Sequence, residues 1–235
     1  MRDVNQLEKF YQEPIGIKSS YYMLESIKKM WPSIKSDELI LSIGYFDHFL
    51  DYFLQNNSSI ICGMPSRMGV MKCNDEKEKN RSFLMEDWLM PLQSSSIDKI
   101  ILIHSFETSR NPDELLRELW RVLKPNGKMI LILPNRMSMW SRIETTPFSE
   151  GNPYSISQIQ RTLNEHFLFI TNDRTCLFFP PFPSKTLFKT YDSIEKVGEK
   201  FLKNSGGVIL IECEKQLLRY THITSEKLLL RNVTT

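Results

Sequence analysis

The fold of this chain is decided by residues 96–136, which read SIDKIILIHSFETSRNPDELLRELWRVLKPNGKMILILPNR. Within them, Ile100–Ile103 is an apolar run that is long enough for a buried strand and too short for a helix. A helix is predicted next, because Asn111 suits the N-cap, Pro112 the first helical position and Glu114 the third position after the cap. The apolar residues of this helix recur at helical spacing, at Leu115, Leu116, Leu119, Val122 and Leu123.

The same stretch closes with a turn and a second strand. The turn formers at 125–127 end the predicted helix, and Met129–Leu133 is the second buried strand. A strand, a helix and a strand joined by short links predict a parallel pair with a right-handed crossover. Because ligands bind such sheets beyond the carboxyl ends of the strands, we expect a site near residues 104–107 and 134–136.

The rest of the chain continues the alternation of strands and helices. Further strands are predicted at Leu39–Ile43, Ser59–Cys62, Ser82–Met85, Phe167–Ile170, Thr175–Phe179 and Gly207–Cys213. Further helices are predicted within residues 1–31, at 48–55, from Ser155 with a capping box, and at Lys185–Leu202. This order predicts an α/β sandwich, an outline that dinucleotide-binding enzymes and methyltransferases share. The two late strands favour the methyltransferase version, in which the last strand is antiparallel.

The chain shows no internal repeat and no low-complexity linker, so we predict one domain over residues 1–235. Residues 1–35 supply N-terminal helices and residues 36–140 form the core. Residues 141–235 supply the C-terminal strands with an inserted helix.

Composition and charge narrow the classes of function. The 235 residues carry a formal net charge of +2 without a basic block, which disfavours nucleic acid or an anionic membrane as a partner. The first residues are too polar for a signal peptide, and no apolar run approaches the ~20 residues of a membrane span. We therefore expect a cytoplasmic protein without membrane association, and the oligomeric state stays open.

The cysteines and histidines show no metal-binding pattern. Four cysteines and four histidines are present, without a CxxC, HxH or HExxH spacing. Three of the cysteines lie in apolar runs, so we expect reduced core thiols and no metal site.

On these residues, the segment 96–135 resembles the second half of a class I S-adenosylmethionine-dependent methyltransferase domain, of the type 11 group. That group typically has an acidic residue at the head of strand four, a Glu at its exit, and a Pro that opens the next helix before a run like RVLKPGG. Asp98, Glu107 and Pro112 match these positions, and residues 121–127 match the run. The resemblance covers about residues 36–140. It implies a three-layer, Rossmann-like class I fold with a mostly parallel seven-stranded sheet whose last strand is antiparallel.

The chain departs from the family pattern in the two segments that bind the cofactor. The family's loop after strand one has an acidic residue and then three alternating glycines, whereas this chain reads SIGYFDH from Ser42 to His48. Gly44 is kept, and Phe46 replaces the second glycine. Strand two ends at residues 62–64 (CGM), without the carboxylate that binds the ribose hydroxyls. A phenyl ring at position 46 is expected to crowd the cofactor unless the loop is aimed differently.

The resemblance implies S-adenosylmethionine as the cofactor and assigns residues to it. MEDWLMPL at 85–92 resembles the segment whose acidic side chain meets the adenine amino group, with Glu86 at the matching position. A solvated acidic turn is the alternative for this segment. The full set implied for the cofactor is Ser42, Gly44, Tyr45, Gly63, Met64, Glu86, Asp87, Trp88 and His104.

The sequence leaves the catalytic residue open among three candidates. His104, at the exit of strand four, could act as a base because histidine exchanges protons near neutral pH, and a purely structural histidine is the alternative. Glu107 matches a family position, and its alternative role is to cap or brace the loop. Tyr154, like Tyr11, is placed in a loop that could line a substrate site or only pack there.

The resemblance implies methyl transfer from S-adenosylmethionine to an unidentified small-molecule or protein acceptor. The alternative is a methyltransferase-like domain that has lost its cofactor and serves as a binding or assembly partner, which Phe46 and the missing ribose carboxylate motivate. A nicotinamide-dependent enzyme is a weaker third hypothesis, because that fingerprint also needs three glycines and an acidic residue about 20 residues further on.

Overall fold

The computed structural model describes residues 3–55, 59–69, 80–182 and 188–216. Its strands are β1 (Leu39–Gly44), β2 (Ser59–Pro65), β3 (Ser82–Met85), β4 (Ile97–Ile103), β5 (Leu123–Pro134), β6 (Leu168–Cys176) and β7 (Val208–Lys215). Its helices are α1 (Val4–Gln12), α2 (Pro14–Met30), α3 (Asp47–Gln55), α4 (Pro112–Val122), α5 (Ile156–Glu165) and α6 (Tyr191–Phe201).

The seven strands form one sheet in the order β3-β2-β1-β4-β5-β7-β6. Strands β1 to β5 pair in parallel, and β7 lies antiparallel between β5 and β6. The predicted mostly parallel sheet with an antiparallel last strand is therefore confirmed. The division into a single domain stays a prediction.

Helices cover both faces of the sheet, because successive side chains of a strand point to opposite sides. On β4, Ile101 packs in the cluster that contains residues of α1, α2 and α3. Its neighbours Ile100 and Leu102 pack in a second cluster, with residues of α4 and α5. The result is the three-layer sandwich that the resemblance implied.

The segment that decides the fold forms β4, α4 and β5 with one correction. α4 begins at Pro112 as predicted, although Asn111 makes no side-chain cap hydrogen bond. β5 begins at Leu123, directly after α4, so the turn formers at 125–127 do not separate the two elements. They lie in an irregular part of β5, where the pairing partner shifts from Leu123 to Lys128 over two residues of β4.

The later elements also differ in detail from the prediction. The two predicted strand segments at 167–170 and 175–179 form the single strand β6, which carries a register shift near Ile170. Ser155 caps α5 with the predicted capping box, completed by Gln158. The helix predicted at 185–202 is α6 from Tyr191, and residues 183–187 lie outside the described part.

Three expectations about membranes, metals and thiols can be compared with the structure. Among the described residues, no helix combines the length and apolar character needed to cross a membrane. In the same ranges, no three histidine, cysteine or acidic side chains lie together as metal ligands. Cys176 and Cys213 are free and buried, whereas Cys62 is disulfide-bonded, against the expectation of reduced thiols. A cytoplasmic location stays a prediction.

Phe46 lies in the core and not over the loop that follows β1. Its side chain is 2% exposed, and its ring centroid lies 5.4 Å from that of Phe49 and 5.2 Å from that of Phe53. The ring is therefore placed as expected for a loop that is aimed differently, which is the exception that the sequence left open. The backbone after Gly44 turns this side chain into the apolar layer beneath α3.

We expect Phe46→Ala to lower the free energy of unfolding by about 3 to 5 kcal/mol, because it leaves a cavity among buried rings. Urea denaturation of both proteins measures this difference. Phe201→Ala is the control, since this phenylalanine is 69% exposed. A loss for Phe46→Ala no larger than that of the control would show that the ring does not support the core.

Glu195 is a buried acid that holds the turn after β6. Its carboxylate accepts hydrogen bonds from the backbone N–H groups of Leu177 at 2.8 Å and Phe178 at 2.7 Å. Leu177 has a φ of 65°, a conformation that needs such support. Burial raises the pKa of the Glu195 carboxyl from 4.5 to about 7, although the two backbone hydrogen bonds oppose the shift.

The raised pKa predicts a pH-dependent stability. Between pH 4.5 and 7 the folded protein keeps a proton that the unfolded chain has released, so the free energy of unfolding falls as the pH rises. We expect Glu195 to contribute up to about 3 kcal/mol to this fall and Glu195→Gln to remove that contribution.

Urea denaturation between pH 5 and pH 8 measures the slope, with the exposed Glu165→Gln as the control. Equal slopes for wild type and Glu195→Gln would contradict the assignment.

Candidate functional site

The site is built where β1 and β4 end side by side. Gly44 has a φ of 95°, and a Cβ at this position would lie 1.9 Å from the carbonyl oxygen of Ile103. Only glycine allows both the turn and the close approach. The residues that follow the two strands, Tyr45 and His104, are therefore held next to each other at the carboxyl edge of the sheet.

His104 is the central side chain of this edge. It is 3% exposed and has a φ of 53°, an uncommon conformation for a residue other than glycine. Its Nε2 lies 2.7 Å from the hydroxyl oxygen of Tyr11, and its Nδ1 lies 3.5 Å from Oε1 of Glu107. The imidazole thus lies between a phenol and a carboxylate. Two of the predicted catalytic candidates, His104 and Glu107, are in contact.

Tyr11 reaches this edge from α1, a helix and not the loop that was expected. Its ring stacks on that of Tyr45, with centroids 5.4 Å apart and planes 7° from parallel. The ring of His48 lies 4.8 Å away, and Phe148 lies 5.0 Å from His104. Burial raises the pKa of Tyr11, as do the neighbouring Tyr45 and Glu107, so the phenol keeps its proton and shares a hydrogen bond with Nε2 of His104.

The acidic segment after β3 is held by an ion pair. Asp87 is 2% exposed and accepts hydrogen bonds from Nη1 of Arg67 at 2.6 Å and from the Ser109 hydroxyl at 2.8 Å. Arg67 also donates to the carbonyl oxygen of Ser105 at 3.3 Å. These bonds connect the segment after β2 with the segments after β3 and β4.

The neighbours of Asp87 lie closer to the surface. Glu86 is half-buried, and its backbone pairs with that of Leu89 across a tight turn. Trp88 projects from this turn and is 55% exposed. Glu86 and Trp88 are therefore accessible at the edge, whereas Asp87 is engaged inside it.

Besides Gly44, three residues of the predicted cofactor set lie within strands. The hydroxyl of Ser42 donates to the carbonyl oxygen of Ile61 at 3.4 Å, so it is engaged between strands. Met64 is 2% exposed and packs in the core, and a Cβ on Gly63 would lie 2.9 Å from the sulfur of Met85. We leave Ser42 and Met64 out of the proposed binding set.

A group of buried polar atoms at this edge lacks hydrogen-bond partners among the described residues. They are Oη of Tyr45, Nε2 of His48, Nε of Arg67, Oδ1 of Asp87, Oγ of Ser105 and Oε2 of Glu107. All follow the carboxyl ends of β1 to β4. A buried polar group without a partner costs roughly 1 to 3 kcal/mol, so such a group indicates a bound ligand or ordered water.

Tyr154 lies on the far side of the same edge. It forms a bridge with Asn135 after β5, and its ring lies 5.4 Å from that of Phe106. Burial raises the pKa of Tyr154, with a further contribution from Glu107. The phenol therefore keeps its proton and can donate a hydrogen bond but not act as a base near neutral pH.

Sequence reasoning did not identify Arg67 and Ser105, and it gave Tyr11 only a loop position. Arg67 and Asp87 are 20 residues apart and in different loops. Nothing in the spacing indicates that they meet. The sequence shows that no carboxylate follows β2. A search of the same segment for a basic residue would have found Arg67.

Comparisons with known proteins agree with this geometry. Residues 41–131 match the family model described as a methyltransferase domain. An uncharacterized protein of Methanocaldococcus jannaschii is 25% identical over 132 residues, which are 54% of this chain and 60% of that protein. The chain thus spans less than two thirds of this curated relative.

Solved structures of methyltransferases share the fold. A SAM-dependent methyltransferase of Thermotoga maritima superposes with a TM-score of 0.64 at 16% identity, over 91% of this chain and 96% of that one. The geranyl diphosphate C-methyltransferase of Streptomyces coelicolor superposes with a TM-score of 0.57 at 14% identity, over 89% and 83%. Residues 41–131 therefore match the methyltransferase-domain model, and the chain has the fold of the class I S-adenosylmethionine-dependent methyltransferases.

Proposed function

We propose that the chain is an S-adenosylmethionine-dependent methyltransferase that acts on a small molecule or a protein. The group of unpartnered polar atoms at the carboxyl edge of β1 to β4 supports this proposal most directly. Their position matches the edge at which sheets of this kind bind ligands. The Streptomyces relative, whose structure contains S-adenosyl-L-homocysteine, supports the choice of cofactor.

The chemistry of the unpartnered atoms suits this cofactor. S-adenosylmethionine carries amino groups and ribose hydroxyls that donate hydrogen bonds, and a carboxylate that accepts them. Asp87 and Glu107 offer free acceptor oxygens, and Ser105 offers a free hydroxyl. In this proposal these three side chains hold the cofactor, with Glu86 and the exposed Trp88 at the adenine end.

His104 is the proposed proton acceptor. The bound cofactor supplies a methyl group on a positively charged sulfur, which leaves readily, so the protein needs only to orient the acceptor and take its proton. The Glu107 carboxylate lies 3.5 Å from Nδ1 of His104, which leaves Nε2 as the nitrogen that accepts the proton in this proposal. Tyr154 can orient the acceptor through its phenol.

One observation favours a second candidate, a methyltransferase-like binding or assembly protein without a cofactor. Arg67 bridges Asp87 and Ser105 and so occupies part of the edge between β2 and β4. The Tyr11 ring fills a further part above β1. In this candidate these contacts are permanent, whereas in the methyltransferase they give way to the ligand.

The variant Ser105→Ala tests whether the Ser105 hydroxyl binds a ligand or stabilises the fold. The Ser105 hydroxyl has no partner among the described residues, so its removal should leave the free energy of unfolding unchanged or slightly higher. The same change should weaken binding of S-adenosylhomocysteine about fivefold or more, through the lost hydrogen bond. Urea denaturation and isothermal titration calorimetry measure the two effects.

Ser19→Ala is the matched control, because this buried hydroxyl donates within α2 to the carbonyl oxygen of Ile15 at 2.7 Å. It should lose stability and keep the affinity. If wild-type protein gives neither heat nor thermal stabilisation with millimolar S-adenosylhomocysteine, the methyltransferase proposal fails and the second candidate stands.

A further inference from the structure

Tyr11 fills a slot between aromatic walls at the carboxyl edge. We define this slot by the rings of Tyr45, His48 and His104, which all contact that of Tyr11. Tyr11 comes from α1, outside the residues that match the methyltransferase-domain model. It is 1% exposed, and its ring stacks on Tyr45 while its hydroxyl meets Nε2 of His104 at 2.7 Å. The slot therefore accepts a flat ring whose hydroxyl points at the imidazole.

The slot offers more hydrogen bonds than Tyr11 uses. Oη of Tyr45 and Nε2 of His48 are buried in its walls and have no partner among the described residues. A pocket that served only to pack a tyrosine would have no reason to keep two unpaired polar atoms, since each costs stability. Both rings contact that of Tyr11, so these atoms can serve a ring that replaces it.

His104 is arranged to take a proton from such a ring. Nε2 faces the phenol, and Nδ1 faces the Glu107 carboxylate at 3.5 Å. His104 is also held at a positive φ of 53°, and strained backbone of this kind is found at functional sites more often than elsewhere. A histidine backed by a carboxylate is a suitable base for a hydroxyl nucleophile.

Tyr11 belongs to a short helix that ends just before an extended joint. α1 has nine residues, and helices this short are marginal on their own. Glu13, with φ −75° and ψ 152°, is extended between α1 and the Pro14 that starts α2. Release of Tyr11 would require α1 to move at this joint and to give up the core packing of Val4, Leu7 and Phe10.

We propose that this slot is the acceptor site of the enzyme, that the acceptor is a phenol, and that Tyr11 occupies the slot in its absence. The proposal rests on the proposed methyltransferase function. In the transfer, the phenol oxygen gains the methyl group of the sulfonium and the sulfur keeps the electron pair of the broken bond. The proton of the phenol passes to Nε2 of His104.

The test measures binding of 4-methylphenol without cofactor, by isothermal titration calorimetry or ligand-observed NMR. Tyr11→Phe keeps the ring volume and loses the hydrogen bond to His104, so Tyr11 competes less well for the slot. We expect 4-methylphenol to bind Tyr11→Phe about five- to tenfold more tightly than wild type. Toluene, which lacks the hydroxyl, should show no such gain.

Tyr191→Phe is the matched control. Tyr191 is fully buried, stacks on Phe179 with centroids 4.6 Å apart, and donates its hydroxyl to the carbonyl oxygen of Phe182. This variant should bind 4-methylphenol no better than wild type. An equal gain with toluene, an equal gain in Tyr191→Phe, or no binding to Tyr11→Phe would each overturn the phenol site.

Titration of the same variants with S-adenosylhomocysteine distinguishes this proposal from the function on which it rests. Binding of S-adenosylhomocysteine without the gain for 4-methylphenol overturns the acceptor site and leaves the methyltransferase function standing. The gain for 4-methylphenol without binding of S-adenosylhomocysteine overturns the methyltransferase function and supports the slot as a phenol-binding site.

Discussion

The candidate site depends on how closely β1 and β4 approach each other at their carboxyl ends. A Cβ at position 44 would lie 1.9 Å from the carbonyl oxygen of Ile103, so the two strand ends fit only around a glycine. Tyr45 and His104 follow directly, and their loops leave the sheet side by side. A larger residue at position 44 would push the strand ends apart. The stacking of Tyr11 on Tyr45 and its hydrogen bond to His104 would be lost together.

The β4, α4 and β5 elements could be predicted because their signals are local. Pro112 starts a helix by its own backbone geometry, and the apolar run at 100–103 needs no distant partner to be recognised as a strand. The start of β5 was misplaced, because Pro125–Gly127 reads as a turn in isolation. Pairing of Leu123 with Ile97 extends the strand backwards over that turn.

The interior of the site could not be predicted in the same way, because its contacts join distant parts of the chain. Tyr11 and His104 are 93 residues apart, and no spacing rule connects them. Phe46 shows a second limit of sequence reasoning. Its position in the loop was identified correctly, but a motif position does not determine which way a side chain points. The family likeness, carried by local motifs, was therefore easier to recognise than the residues that fill the site.

The position of β7 has a consequence for how the chain is made. β7 is the last of the described strands, yet it lies between β5 and β6 and pairs with both. During synthesis, β5 is the open edge of a five-stranded sheet, and β6 has no strand to pair with until residues 208–215 leave the ribosome. Unpaired strand edges are where partly folded chains stick to one another. A nascent chain that pauses before Val208 therefore exposes the edge of β5 and the unpaired β6 to aggregation. Insertion of β7 then pairs both strands in one late step.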